Sequence, residues 1–375
     1  MDFRKRPYLL AGILLITLSV FLRSQFLEFK NGDLLLIREW YDFLHQNGYK
    51  GLANGEFSNY PPAYLYLLYF ATLLSKWIAP FTALKLIPTA FDLISTFTVY
   101  KIARLKHRDD KPYLFAALFF LLPTVMLNST GWGQIESTYA SFLLMCIYLI
   151  LTDRPFLALI AFGAAFSFKA QAIFLLPFLG IMFLRGRVRW YNFFSVPAAY
   201  LLLALPAILL GRSWESVLFL YAGQVGQFEE LARYAPNLYL LLLTAPYHPT
   251  FEIGLGIFAI IMLAWAWVNW RAKPPVTQTQ IILTALASAA WTPFLLPKMH
   301  DRYFYPADVI SFAAAVLIPK LWFIPVLFQI SSGVAYSIFL FGAPPIAALI
   351  GAAVNTVLVI VIARRQIREL RVRYE

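Results

Sequence analysis

Apolar runs of helical length recur along the whole chain, from Tyr8 to Ala363. Hydrophobic residues make up 61% of the 375 residues and charged residues only 13%, which is too apolar for a soluble domain of this size. No polar block between the runs is long enough to form a separate soluble domain. The sequence therefore predicts an all-α polytopic membrane protein with one integral membrane domain, residues 1–375.

The net charge of +12 comes from short clusters of Lys and Arg between the apolar runs. A nucleic-acid-binding protein would instead gather basic residues in one stripe with exposed aromatic residues. Basic clusters at the ends of apolar runs are typical of the cytoplasmic side of a membrane. The charge therefore indicates membrane orientation, and we expect no nucleic-acid partner.

The segment Tyr60 to Trp77 decides the predicted number of spans. It is apolar enough to cross a membrane, but counting it would place the basic cluster at residues 101–111 outside. A stretch rich in Pro and Tyr also fits the membrane interface. Discounting it puts the later basic clusters inside and predicts about twelve spans with both termini cytoplasmic. Those clusters are Arg185/Arg187/Arg189, Arg271/Lys273 and Arg364/Arg365/Arg368/Arg371/Arg373.

The predicted spans divide the chain into a first external loop, residues 24–83 with interfacial helices, and a helical bundle over residues 84–363. Several runs are shorter than the roughly 20 residues that a straight span needs, so we expect broken helices, notably on both sides of Lys169. The spans start near Tyr8, Leu84, Pro112, Glu136, Pro155, Gln171, Trp190, Thr250, Gln280, Pro306, Leu321 and Pro344.

Acidic residues fall at three informative places. Asp33 follows the turn Asn31-Gly32 and is predicted to cap an amphipathic helix on the membrane, or to act as a general base. Glu136 opens a span beside Trp132 and Gln134, where the helix dipole also favours an acid. Asp92 lies midway along a span, which favours a structural hydrogen-bonding role over catalysis.

Cationic side chains recur at two places that the topology puts outside. Lys169 is flanked by long apolar runs and either binds an anionic lipid head-group or extends to the interface. His300 and Arg302 flank Asp301 in "KMHDRYFYP", which is either a solvated turn or a phosphate-binding segment at a helix start.

The predicted external face therefore combines acids with cations that suit a phosphate. A carboxylate could deprotonate an acceptor hydroxyl there while the cations stabilise a departing phosphate. A lipid-linked phosphosugar would bring such a phosphate to this depth of the membrane. The sequence thus indicates transfer chemistry at the membrane surface.

An ordered set of motifs carries a family resemblance. "GD…W…L…G" and "NYPPAYLYLL" come first, followed by "FDLISTFTVYKIAR", "GWGQIES", "FKAQAIFLLP" and "KMHDRYFYPAD". Between Gly32 and Asp308 the chain resembles the GT-C superfamily of polytopic glycosyltransferases, and in particular bacterial mannosyltransferase-like members related to the GPI-anchor mannosyltransferases. The resemblance implies a GT-C-like helical bundle in a bacterial plasma membrane, with the active site on the outer face.

The resemblance also implies roles for single residues. It makes Asp33 the base or a metal ligand and Glu136 the second acid, although similar sequences more often have Asp at that position. His300 and Arg302 would face the phosphate of a polyprenyl-phosphate sugar, with Lys169 beside them, and a lipid or glycan hydroxyl would accept the sugar with inversion. Asp92, Gln134, Tyr60 and Asp301 are secondary candidates. Some members need a divalent metal, Mg or Mn, which Asp33 and Glu136 could share, so metal dependence stays open.

Two other functions remain open at this point. A transporter or flippase of anionic lipid intermediates would use Lys169 and Asp92 as charges along a pathway. A protein that kept the fold but lost activity would serve as a non-catalytic partner. The absence of a detectable internal repeat disfavours the transporter.

Overall fold

The structure, a computed structural model, describes residues 6–224, 229–242, 245–272 and 275–371. Within these ranges regular structure is helical apart from two strands of two residues each. The chain is therefore an all-α integral membrane protein, as its apolar runs predict. Lys273 and Arg373, which belong to predicted basic clusters, lie outside the described residues.

The chain divides into two compact units. The first unit comprises Met1–Met145, Leu159–Ala172 and Phe193–Gln227. The second unit comprises Cys146–Ala158, Ile173–Asn192 and Phe228–Glu375.

The first half of the chain contains the helices α1 Pro7–Ser24, α2 Gly32–Asn47, α3 Pro62–Leu73, α4 Pro80–Arg104, α5 Lys111–Phe120, α6 Pro123–Met126, α7 Glu136–Leu151, α8 Pro155–Phe168 and α9 Leu176–Leu184. Five of these nine begin with Pro at the first helical position, where its missing N–H costs no hydrogen bond. A π-helical turn, Leu127–Trp132, precedes α7, and 3₁₀ segments cover Gly48–Ala53 and Ala170–Leu175.

The second half contains the helices α10 Ser195–Leu209, α11 Trp214–Leu218, α12 Leu220–Gln224, α13 Tyr247–Arg271, α14 Gln278–Leu295, α15 Tyr305–Leu317, α16 Phe323–Phe341 and α17 Ala347–Arg371. Strand β1, Ala232–Arg233, pairs in parallel with strand β2, Met299–His300. The 3₁₀ segments here are Trp190–Phe194, Leu238–Leu241 and Pro319–Leu321. In the second unit α14 is buried over almost its whole length, and α15 and α17 pack against it.

The predicted spans are recovered as helices, but several are short. Five helical segments of the described residues are long and apolar enough to cross a membrane, or six if the bent pair on either side of Leu121-Leu122 forms one span. The five are Pro7–Ser24, Trp190–Leu209, Tyr247–Arg271, Pro319–Phe341 and Ala347–Arg371. Other apolar helices have only 10–17 residues, because prolines and polar turns interrupt the runs. By length and composition the structure therefore supports five or six spans, against about twelve predicted.

The discounted segment, Tyr60 to Trp77, contains the 12-residue helix α3. At 1.5 Å per residue, α3 is about 18 Å long, well short of a bilayer core of about 30 Å. By length α3 belongs with the other short apolar helices, so whether the Tyr60 to Trp77 segment crosses the membrane stays a prediction.

Candidate functional site

Helix α2 begins differently from the prediction for Asp33. The Oδ1 atom of Asn31 accepts the Leu34 backbone N–H at 3.0 Å, so Asn31 is the N-cap. The prediction that Asp33 caps the helix is thus wrong, because the Asn31 side chain takes that role two residues earlier. The predicted apolar face is confirmed, since Leu34, Ile37, Tyr41 and Leu44 are all buried. Asp33, in the first turn, has its carboxylate available for tertiary contacts.

Two distant side chains donate hydrogen bonds to the Asp33 carboxylate. Its Oδ2 atom accepts Trp132 Nε1–H at 2.9 Å and Gln134 Nε2–H at 2.6 Å. A third contact joins the same two segments, because Asn31 Nδ2 donates to the Trp132 carbonyl at 2.9 Å. The structure therefore brings the first-loop acid together with the "GWGQIES" motif, and the half-buried Asp33 is held in one orientation.

The chain reaches Asp33 through an unusual backbone. The π-helical turn Leu127–Trp132 ends at Gly133, which has φ +79°. A Cβ atom at Gly133 would lie only 2.5 Å from Leu34 Cδ1, so this position requires glycine. Single π turns occur frequently at functional sites. Here Gly133 packs closely against Leu34 of α2, and the two donors, Trp132 and Gln134, flank Gly133 in the sequence.

Glu136 and Lys169 form an ion pair inside the first unit. Glu136 begins α7, as predicted, and its side chain has no exposed surface. Lys169 follows the end of α8 and is 8% exposed, and its Nζ donates to Glu136 Oε1. The lone ammonium predicted from the sequence is therefore paired, and its charge is balanced within the protein.

Asp92, midway along its helix, forms a buried ion pair with Arg23. Its Oδ2 atom lies 2.9 Å from Arg23 Nη1, and Asp92 has no exposed surface. The same Nη1 donates to Ser129 Oγ at 2.7 Å and to Thr130 Oγ1 at 3.0 Å, and Nη2 donates to the Phe120 carbonyl at 3.0 Å. This network joins the end of α1 to α4, α5 and the π turn. The sequence did not single out Arg23, because a basic residue after an apolar run is usual at a span end.

Tyr60, a secondary candidate, belongs to an aromatic cluster before α3. Its ring makes edge contacts with Trp40 at 5.0 Å and with Tyr64 at 5.2 Å between centroids. Its backbone N–H donates to Ser58 Oγ at 3.0 Å. These contacts join the start of α3 to α2, so Tyr60 has packing contacts in the first unit.

The "KMHDR" segment lies in the second unit. His300 belongs to β2, and its ring packs against Tyr303 at 5.1 Å. The Asp301 carboxylate is buried, accepts the Arg302 backbone N–H at 2.9 Å and lies 3.8 Å from Arg302 Nη1. Helix α15 begins at Tyr305, close to the predicted start. The pairing of β2 with β1 also brings together two loops that the topology placed on one face.

The predicted metal ligands, Asp33 and Glu136, have protein partners for their carboxylates, as described above. Among the described residues, no group of three His, Cys, Asp or Glu side chains is close enough to hold a metal ion. Whether the protein needs a divalent metal therefore stays open.

No protein-family model matches the chain, and no curated protein sequence matches it. The interpretation of the site therefore depends on its own geometry and on the motif resemblance.

Proposed function

We propose that the chain is an inverting glycosyltransferase of the GT-C type, with Asp33 as the general base. The observation that carries this proposal is the Asp33 carboxylate, half-buried and oriented by Trp132 and Gln134. A base has to stay within hydrogen-bonding reach of the hydroxyl that it deprotonates. Two donors from one rigid turn supply that orientation, and partial exposure leaves access for an acceptor.

Two buried amides, Gln134 beside this carboxylate and Asn128 on the preceding π turn, support a polyhydroxylated ligand. Gln134 Oε1 has no hydrogen-bond partner among the residues that the structure describes, and neither do Nδ2 and Oδ1 of Asn128. The backbones of the two residues are in contact, since the Gln134 N–H donates to the Asn128 carbonyl at 3.0 Å. Buried polar atoms without partners are rare in proteins. Sugar hydroxyls both donate and accept hydrogen bonds, so they can satisfy all three atoms.

In the proposed reaction Asp33 takes the proton of the acceptor hydroxyl, and the hydroxyl oxygen attacks the anomeric carbon of the sugar. The bond between that carbon and the phosphate oxygen breaks, and the polyprenyl phosphate leaves with the electron pair. Attack from the face opposite the phosphate inverts the anomeric centre. Glu136 acts by holding Lys169, and with it the segment that carries Trp132 and Gln134, in place.

The donor and acceptor follow from the resemblance. We propose a polyprenyl-phosphate sugar as donor, with mannose as the sugar, and a lipid or glycan hydroxyl as acceptor. His300 and Arg302 are proposed to bind the donor phosphate, since arginine matches phosphate geometry through its planar fork. Replacement of Arg302 by Ala should then weaken donor affinity more than acceptor affinity. An unchanged dissociation constant for the donor would show that Arg302 does not bind the donor phosphate.

We also propose the twelve-span arrangement of a GT-C bundle in a bacterial plasma membrane, with both termini cytoplasmic and the Asp33 site outside. The short apolar helices support it as pieces of broken spans, which are tolerated when buried among neighbours. Single cysteines at Trp77 and Lys106 test it, because both side chains are exposed and the native Cys146 is buried. Labelling of Trp77 from outside and of Lys106 from the cytoplasmic side agrees with the proposal. Labelling of Trp77 from the cytoplasmic side and of Lys106 from outside makes α3 a span.

The decisive experiment is incubation of the purified protein with a panel of polyprenyl-phosphate sugars and acceptor lipids. Transfer, or slow hydrolysis of one donor, is expected from the wild type and not from the Asp33→Asn variant. In proteoliposomes, movement of the intact donor across the bilayer without cleavage would instead indicate the flippase. If the protein neither cleaves nor moves any of the donors, the remaining hypothesis is a non-catalytic partner protein.

A further inference from the structure

The side chain of Arg212 is a buried cation in the first unit that the proposed reaction does not use. Arg212 follows α10, and its backbone N–H donates to the Ala207 carbonyl at 3.0 Å. The residue is only 2% exposed. Within the described part of the chain, Nη1 and Nη2 have no hydrogen-bond partner, and the side chain forms no ion pair. The guanidinium is therefore charged, buried and unbalanced.

The neighbours of this guanidinium are neutral. Nε lies 3.4 Å from Ser216 Oγ, and that hydroxyl already donates to the Ser213 carbonyl at 2.9 Å. Burial lowers the pKa of Arg212, while Tyr66 and Tyr200 raise it. Both tyrosine hydroxyls are occupied by backbone contacts, the first with Ala207 N–H at 3.0 Å and the second with the Val217 carbonyl at 2.7 Å. The surroundings therefore do not supply the missing negative charge.

Arg23 shows what a satisfied buried arginine looks like in the same unit. It bonds to the Asp92 carboxylate, two hydroxyls and a backbone carbonyl. A buried charge without such partners costs several kcal/mol. Arg212 lacks the equivalent contacts, so its environment fits a partner that comes from outside the chain.

We propose that Arg212 binds a phosphate group, either of a lipid head-group or of a free anion. The two terminal nitrogens form a planar fork that matches two oxygens of a phosphate. Arg212 lies three residues beyond the candidate span Trp190–Leu209, at the depth where lipid phosphates are concentrated. This inference stands on Arg212 alone and does not depend on glycosyl transfer.

The turn at Gly55 covers the guanidinium on one side. A Cβ atom at Gly55 would lie 3.5 Å from Arg212 Nε and 3.2 Å from Ser216 Oγ, so the turn at Gly55 packs directly on the site. Asn54 and Glu56 on either side of it are exposed. A phosphate that approaches from this side of the surface therefore has to pass the Gly55 turn.

Thermal unfolding of the full-length protein in maltoside micelles tests the proposal. One series adds inorganic phosphate at constant ionic strength, and the other adds phosphatidic acid to the micelles. Saturable stabilisation is expected in one series or in both, which tells a free anion from a lipid head-group. Arg212→Gln should weaken the apparent affinity at least tenfold, because it removes the charge-assisted contacts. The control Arg38→Gln, whose guanidinium is paired with Asp42 on α2, should bind as the wild type does.

Stability without ligand separates binding from a folding defect. In plain micelles Arg212→Gln should be at least as stable as the wild type, since it removes an unbalanced buried charge. Equal phosphate and phosphatidic acid responses of Arg212→Gln and wild type would overturn the proposal. So would a wild type that neither probe stabilises, or one that acetate stabilises as well as phosphate does.

Discussion

Asp33 and Asp92 are two carboxylates of the same unit that differ in exposure and in the donors that orient them. Asp92 is fully buried and forms an ion pair with Arg23, which is itself bound by two hydroxyls and a carbonyl. Asp33 is half-buried and contacts the neutral donors Trp132 and Gln134. A carboxylate neutralised by a buried arginine holds helices together. A half-buried carboxylate oriented by two side-chain N–H donors stays within reach of a ligand.

Replacement of Asp33 by Asn should have the largest effect on activity. Loss of a general base is expected to lower the transfer rate by about 10²- to 10⁴-fold, while the melting temperature stays close to wild type because Asn can still accept both hydrogen bonds. The rate is measured with a donor identified in the panel. Asp42→Asn, at a partly exposed position on the same helix, is the control and should keep full activity. A wild-type rate for Asp33→Asn would remove Asp33 as the base.

Replacement of Asp92 by Asn should show the opposite behaviour. It leaves Arg23 buried without its counter-charge, and we expect a loss of about 3–5 kcal/mol in the free energy of unfolding. Activity per folded molecule should persist. Reversible denaturation in detergent measures the first quantity, and the double variant Arg23→Leu/Asp92→Leu should regain much of the lost stability. A change below about 1 kcal/mol would place the pair outside the structural core.

Replacement of Lys169 by Met tests whether this cation serves the fold or the donor phosphate. Because Glu136 would lose its partner, we expect a loss of about 3 kcal/mol in stability, which a second change, Glu136→Gln, should largely restore. Donor affinity of the folded protein should change little. Unchanged stability combined with much weaker donor binding would instead support the phosphate role predicted from the sequence.

Replacement of Trp132 by Phe should give the smallest of these effects. It removes one of the two donors to Asp33 but keeps an aromatic ring, so we expect about a tenfold lower transfer rate at nearly unchanged stability. The exposed Trp77→Phe is the control and should retain the wild-type rate. An unaltered rate for Trp132→Phe would mean that Gln134 alone is enough to orient the carboxylate.

Local patterns in the sequence predicted much of the local structure. The buried face of α2, the start of α7 at Glu136 and the start of α15 after "DRYF" all follow from apolar spacing and helix-start preferences. The N-cap of α2 could not be predicted in this way. Asn31 and Asp33 are both good capping residues, and only the backbone conformation decides which of them caps the helix. The predicted number of spans also differed from the number that the helix lengths support. Apolar periodicity shows where a helix lies more reliably than it shows where a proline or a polar turn ends that helix.

The residue types by themselves determined that this chain is an all-α membrane protein. Its side chains are apolar enough for lipid, and a helix satisfies the polar backbone N–H and C=O groups that lipid cannot hydrogen-bond. The residue types also identified Asp33, Glu136 and Lys169 as charged residues that are candidates for a function. Only the tertiary structure decided the partners, since Asp33 meets Trp132 and Gln134 across about a hundred residues of chain. A pairing of that kind depends on how the π turn and Gly133 pack on α2, and local sequence preferences carry no information about such packing.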